Sequence, residues 1–319
     1  MTFLAILCAL LIEQFRPMRA NNLIYAEVKS LAMRVEAWFN AGHPRHGRFG
    51  WLLMVLLLTV PAYAIHLFAA VVSPMLEFAW SVAIAYLTLG FRHYSHYFSS
   101  IQIALLSGDE AQARTLLAEW TKQDTTGMET PDIIRIAIEK ALVTSHHNVF
   151  GVFFWFLLPF GPAGAVLYRV AEYLARAWNS ESEHLESDVF GRFASKAFYW
   201  IDWIPTRLTA IAFAVVGDFE DAIYAWRNFA NRWQSEAIGI ILATGGGAIG
   251  IRLGTPEEKA INIPTVDAES IDFPGIETES QPGEEPSLRA LQSTVGLVWR
   301  ALLLWMLLLL LLSIAVWIG

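Results

Sequence analysis

Apolar residues in this chain gather into long runs separated by shorter polar stretches. The pattern is that of helices crossing a bilayer, not of alternating strands. The clearest run is 301–319 (ALLLWMLLLLLLSIAVWIG), which holds no charged residue and is about the length that crosses the hydrocarbon layer as a helix. Arg300, with Trp299 and Trp305 beside it, suits an interfacial anchor. Residues 49–72 form a second run, with Pro61 near its centre predicting a kink and His66 beyond it. After a turn at Ser73–Pro74, residues 75–90 return as a third. MTFLAILCALLIEQ at 1–14 predicts a short retained first helix with Glu13 at its interfacial end, because it lacks the basic segment and small-residue cleavage site of a signal peptide.

The polar stretches supply orientation and a soluble element. Between the first two apolar runs lie Arg16, Arg19, Lys29, Arg34, Arg45 and Arg48 against Glu27 and Glu36, which places 15–48 on the cytoplasmic side. Residues 92–148 predict a small helical region. One helix opens at SGDEAQARTLLAEW, capped by Ser107 or Asp109. A second opens at TPDIIRIAIEKAL, with Thr130 as cap, Pro131 at the first helical position, and Ile133, Ile134, Ala137, Ile138 and Ala141 on its apolar face. Residues 149–170 are apolar but interrupted by Pro159, Gly161, Pro162 and Gly164. They predict either half-helices around a re-entrant turn or one kinked span. A shorter helix opens at Pro205, another covers 237–253, and residues 254–290 lose all periodicity and read as an acidic, flexible loop. The expectation is an all-α, polytopic helical membrane protein. It divides into a membrane region at 1–91, a soluble or membrane-surface helical region at 92–148, a core membrane region with broken helices at 149–253, the loop at 254–290, and a terminal span at 291–319.

Composition agrees with that pattern and narrows the function. Of 319 residues, 55% are hydrophobic and 16% charged, whereas soluble domains carry about 25% charged residues. A net charge of -8 with no basic stripe excludes nucleic acid as a partner. The single cysteine, Cys8, excludes an internal disulfide framework. The bilayer is the first partner implied, at the bacterial cytoplasmic (inner) membrane, and self-association into a homo-oligomer is compatible with it.

The glycine-rich stretch GGGAIGIRLG, Gly245 to Gly254, invites a phosphate-loop reading and fails it, because no lysine and no Ser or Thr follows the glycines. Close helix packing fits better, with Gly246 and Gly250 at small-x3-small spacing. His93 and His96 stand one turn apart without a nearby third ligand, and His146 and His147, as neighbours, project from different faces of an α-helix. No metal site is assigned to either pair. Two polar clusters stand out: Lys122 to Thr125, containing Asp124, and Asp202 with Arg207 in YWIDWIPTRLT. The latter two either pair with each other or share a ligand site.

The order of motifs resembles the CobD/CbiB family of cobalamin-biosynthesis membrane proteins, a relative of the AmpE group. The likeness is carried by LTLGFR (87–92), the Gly108–Asp109 helix with KQDT (122–125), TPDIIRIAIE, FFWFLLPFGPAGAVLYR (153–169), FGRFASKAFYWIDWIPTRLTA (190–210) and GAIGIRLG. The resemblance implies amide-bond formation between adenosylcobyric acid and aminopropanol or its phosphate, with ATP and magnesium as cofactors and a corrinoid as substrate or ligand. It puts Asp124, Glu139, Arg169, Arg207 and Arg252 around the anionic substrates. The acids of the family pattern are changed in several places. Val143 and Thr144 stand for Glu-Asn, His147 and Asn148 for Asp-Gly, Glu172 to Ala175 for Asn-Thr-Leu-Asp, and Phe198 and Tyr199 for paired aspartates, while Asp202 replaces an asparagine. His147 and Asp202 therefore join Asp124 and Glu139 as candidate catalytic groups, with His147 as a base. Arg169, Arg207 and Arg252 are the candidate binding groups. A cytoplasm-facing pocket is expected between 149–170 and the helices near Pro205 and Ala237, with Arg207 and Arg252 giving it a persistent positive field. The alternative is a non-catalytic, AmpE-like sensor, signalling or scaffold protein.

Overall fold

The computed structural model describes residues 2–16, 23–40, 44–179, 190–254 and 283–318, and among these the chain is all-α apart from one isolated backbone bridge. The helices are α1 (Thr2–Phe15), α2 (Leu23–Phe39), α3 (Pro44–Val72), α4 (Pro74–Thr88), α5 (Phe91–Leu106), α6 (Glu110–Thr121), α7 (Thr130–Ser145), α8 (Gly151–Leu157), α9 (Pro162–Ala177), α10 (Phe190–Val216), α11 (Phe219–Phe229), α12 (Glu236–Ile249) and α13 (Leu288–Ile318). The helix α10 is central, packing on α3, α9, α12 and α13. Phe150, Phe153 and Tyr168 are fully buried, as is Phe213 of α10 itself, which meets Phe150 edge to face.

Local signals set several of the boundaries. Asp109 caps α6 by accepting from Gln112 N at 2.9 Å, and Ser73 caps α4 by accepting from Met75 N at 3.2 Å. Five apolar positions expected to be the inner face of α7, Ile133, Ile134, Ala137, Ile138 and Ala141, are all buried. Thr130 is not the cap: Glu129 occupies that position, and the Thr130 hydroxyl donates to the Glu110 carboxylate instead, tying α7 to α6. The helix α3 runs through Pro61 without a break in assignment.

Three readings of the sequence change shape in three dimensions. First, the interrupted stretch 149–170 is a helical hairpin. A π-helical turn (His146–Phe150) joins α7 to α8 in one continuous run, and the chain then reverses at residues 158–161 into α9. Gly161 adopts φ 51°, a conformation open to glycine, and Gly164 lies so close to the Trp155 carbonyl that a side chain would collide with it.

Second, Pro205 does not open a helix but lies inside α10. A proline there removes the N–H that would bond the carbonyl four residues earlier, that of Ile201. The Trp155 indole N–H donates to that carbonyl at 3.1 Å, so the hairpin supplies the missing donor and the helix continues.

Third, the close-packing glycines of α12 are Gly239, Gly245 and Gly247. A Cβ on Gly247 would sit 2.5 Å from the Asp221 carbonyl oxygen, and one on Gly245 would sit 2.7 Å from Leu142. Gly250 ends the helix in the left-handed conformation at φ 71°, with open space around it.

Residues 255–282, most of the expected acidic loop, lie outside the described residues. Its far end does not read as free loop. Arg252 N donates to the Glu284 carbonyl and Glu284 N to the Gly250 carbonyl, both at 2.9 Å. The side chains of Arg92 and His93 also lie outside the described residues, so their pairing with His96 is not placed.

Two helices among the described residues, within Arg45–Val72 and Leu288–Ala315, are long and apolar enough to cross a membrane. Only 17% of the apolar window of the first is buried against protein, so it is not the core helix of a soluble fold. Trp200, Ile204, Leu208, Ile211 and Val215 extend the exposed apolar surface along α10. A contiguous apolar surface of that kind is one a bilayer covers. The protein is expected to stay with membranes through carbonate or high-salt washing and to leave only in detergent, checked by fractionation and immunoblotting. Gly247→Ala is expected to cost about 1–3 kcal/mol by overpacking against α11, whereas Gly296→Ala, which meets no atom within 4 Å, is expected to leave thermal unfolding in detergent unchanged or raised.

Candidate functional site

A fully buried carboxylate marks the site. Asp202 is 1% exposed and is held by donors from three segments. The His146 Nε2–H donates to its Oδ1 at 2.9 Å and also lies 3.1 Å from Oδ2. The Tyr168 hydroxyl donates to Oδ1 at 2.8 Å, and the Thr206 hydroxyl donates to Oδ2 at 2.9 Å. A buried charge persists only when it is met by partners of this kind. The other His146 nitrogen, Nδ1, lies 2.9 Å from the Thr209 hydroxyl, which donates to it or accepts from it according to the tautomer.

Local backbone geometry makes this convergence possible. On an α-helix, adjacent histidines diverge. The π-helical turn inserts extra chain at 146–150 and is a feature often found at functional sites. Here His146 bonds Asp202 while His147 Nε2 also comes within 3.8 Å of Asp202 Oδ2. His147 is the outer member, its side chain 21% exposed. The edge of Phe198 covers it, with ring centroids 5.5 Å apart, and Phe198 also packs on Tyr168. Gly151 leaves room for the Tyr168 phenol, since any Cβ there would overlap the ring.

Beside this cluster runs a charged strip between α7 and α9. Arg169 Nη1 donates to Asn148 Oδ1 at 2.6 Å and lies 3.5 Å from Glu172. Arg176 Nε donates to the same Glu172 at 3.1 Å. Arg169 Nε is buried with no hydrogen-bond partner. Lys140 on α7 completes the strip; burial, with the Arg176 guanidinium nearby, lowers its ammonium below the ordinary lysine range.

The structure gathers three of the seven predicted residues, His147, Asp202 and Arg169, and separates the other four. Asp124 is exposed and its carboxylate accepts from the backbone N–H and the hydroxyl of Thr126, which together hold it below the usual carboxylate range. It stabilises its own turn. Glu139 accepts from Gly254 N at 2.7 Å and faces Arg135 at 3.8 Å, anchoring the segment after α12. Arg207 does not pair with Asp202, because five residues along α10 point to different faces. It donates to Glu236 at 2.7 Å and lies over the Trp203 ring at 3.8 Å. Arg252 exposes its side chain beyond the end of α12. The expected positive field of Arg207 and Arg252 is therefore not part of this cluster, and Arg169 is its cation.

Sequence pattern does not single out His146, Tyr168, Thr206 or Thr209 for the site, although one signal is present. Asp202, Thr206 and Thr209 follow i, i+4, i+7 spacing, which places them on one helix face. Reading Pro205 as a helix start hides that register. Tyr168 carries no signal beyond its place next to Arg169.

An all-α chain with two membrane-length apolar helices and a polar cluster buried at a helical hairpin defines a class of helical protein built for a bilayer. Similarity to known proteins narrows the class: the CobD/CbiB protein family matches residues 5–270. The cobalamin biosynthesis protein CobD of Stutzerimonas stutzeri is 30% identical over 314 residues, 97% of each chain. Its namesake in Chromobacterium violaceum is 33% identical over 181 residues, 57% of each chain. That of Desulfotalea psychrophila is 24% identical over 261 residues, 74% of this chain and 78% of its own. The chain belongs to the CobD/CbiB family of cobalamin biosynthesis proteins. No solved structure matches it.

Removing one partner of a buried charge costs more than removing one neutral hydrogen bond. His146→Ala is therefore expected to destabilise by about 3–5 kcal/mol, as for a broken buried pair. Tyr168→Phe, which leaves Asp202 with two donors, is expected to cost about 0.5–1.5 kcal/mol. Thermal unfolding of the detergent-solubilised variants checks the order, and equal losses would contradict it.

Proposed function

We propose that this protein acts in cobalamin biosynthesis at the cytoplasmic membrane, on the step that joins aminopropanol or its phosphate to adenosylcobyric acid through an amide bond. The observation that carries the reading is Arg169. Its guanidinium is partly buried, with the Nε–H itself fully buried and unpartnered, beside Asn148 and Glu172. A buried donor without a partner costs free energy, and a phosphate or carboxylate oxygen of a substrate would satisfy it. Arginine suits that task because its charge persists and its N–H groups form a planar fork. Asn148 and Glu172, the latter also paired with Arg176, hold the guanidinium in place.

Magnesium, which the family resemblance implies, does not fit this site. Mg²⁺ takes oxygen ligands in near-octahedral order. Val143, Phe198 and Tyr199 offer no carboxylate where the family pattern has acids. Glu139, Glu172 and Asp202 are each engaged by Gly254 and Arg135, by Arg169 and Arg176, and by His146, Tyr168 and Thr206. The role assigned to these side chains is accordingly to hold the anionic substrate, with no step routed through magnesium or ATP. Those same three replacements favour a second reading, in which the protein binds the corrinoid precursor without turning it over. The relatives lend no support to the AmpE-like alternative.

Purified protein would be given adenosylcobyric acid, aminopropanol phosphate, ATP and magnesium, with product read by mass spectrometry and corrinoid binding by calorimetry. Turnover is expected in the wild type, with at least a tenfold loss of kcat/KM in Arg169→Ala, about 1.4 kcal/mol, and none in Arg252→Ala. Binding without turnover would establish the second reading, and absence of both would overturn the proposal.

A further inference from the structure

We propose that His146, His147 and Asp202 bind one borderline divalent cation of the Zn²⁺ type, with an open coordination position on the His147 side. This goes beyond the proposed amide chemistry and stands independently of it. One ligand atom from each residue, all within 4.8 Å of one another, forms a two-nitrogen, one-oxygen set. Zinc bonded at about 2.0–2.2 Å to nitrogen and oxygen in a tetrahedral array needs ligand atoms roughly 3.3 Å apart. Measured to the one oxygen Asp202 Oδ2, His146 Nε2 at 3.1 Å and His147 Nε2 at 3.8 Å bracket that value. A cation there replaces the His146 Nε2 proton and draws the outer imidazole inward.

The surroundings match what metal ligands require. The Thr209 hydroxyl lies against His146 Nδ1; with the cation on Nε2, Nδ1 carries the ring proton and donates it to that hydroxyl. Tyr168 and Thr206 orient the two oxygens of Asp202. Outer partners of this sort fix ligand tautomer and direction. Imidazole nitrogen with one carboxylate selects Zn²⁺ and its transition-metal neighbours over Mg²⁺. His147 supplies the argument that a hydrogen-bond cluster alone leaves open. Asp202 already has three donors, and His147 stands beyond hydrogen-bond distance of it, yet the π-helical turn brings it to the same carboxylate. Its partial exposure gives the ion a path in and leaves room for one exchangeable ligand.

The full-length protein in detergent, stripped with EDTA, would be titrated with Zn²⁺, Co²⁺ and Mg²⁺. Bound metal would be counted by mass spectrometry, and Co²⁺ geometry read from its visible absorption. The expected result is one Zn²⁺ per chain, low-symmetry Co²⁺ absorption, a raised melting temperature with Zn²⁺, and no response to Mg²⁺. His147→Ala is expected to abolish the site while melting like wild type in EDTA, with His147→Gln as a second variant should alanine fail to fold. Thr209→Val is expected to weaken binding about 10–100-fold, and His96→Ala to change nothing. Binding that survives in both His147 variants, an equal response to Mg²⁺, or no stoichiometric metal would overturn the proposal.

Discussion

A carboxylate buried among apolar helices is the constraint on which the rest of this molecule turns. Asp202 is almost wholly shielded from solvent, and leaving such a charge unmet would cost several kcal/mol after relaxation. The fold therefore brings a histidine from a π-helical turn, a phenol from α9 and a threonine from its own helix to the same two oxygens. Each partner carries its own requirement. Tyr168 needs Gly151 in order to approach, and the run from α7 into α8 needs its extra residue. The hairpin must sit close enough for Trp155 to reach the backbone of α10. The polar cluster thus fixes the mutual placement of α7, α8, α9 and α10 in a way that non-directional apolar contact does not.

Three positions where the family resemblance implies other residues, His147, Asp202 and Phe198, meet in space: His147 approaches Asp202 while Phe198 packs on His147 and Tyr168. Imidazole, carboxylate and aromatic ring thus stand together at one point of the fold.

How far the sequence revealed this depended on the range of the interaction. Helix type, the apolar face of α7, the Asp109 cap and the two longest apolar helices follow from local pattern and were legible. So was the packing role of the glycines in α12, although the contacts are made by Gly239, Gly245 and Gly247 and not at the expected spacing. The continuity of α10 was not legible, because it depends on an indole contributed from 46 positions away. Asp202 stands out in the sequence beside Arg207, and His147 through its place in the family pattern. Their partnership with His146 was hidden, since a regular α-helix would have turned the two histidines apart. Arg207 and Arg252 look equivalent to Arg169 by residue type, and position separates them: Arg207 pairs with Glu236 and Arg252 is exposed beyond α12.

The backbone clip between Ile251 and Glu284 has a consequence for how this protein tolerates change in length. Two backbone hydrogen bonds hold the chain together at the points where it leaves α12 and approaches α13, so the anchor on either side does not rely on the number of residues between. Doubling the length of a connecting segment costs only about 0.6 kcal/mol in closure entropy. Insertions and deletions at this junction are therefore thermodynamically cheap, and it is the natural place in the molecule to carry an added domain or reporter without disturbing the buried cluster.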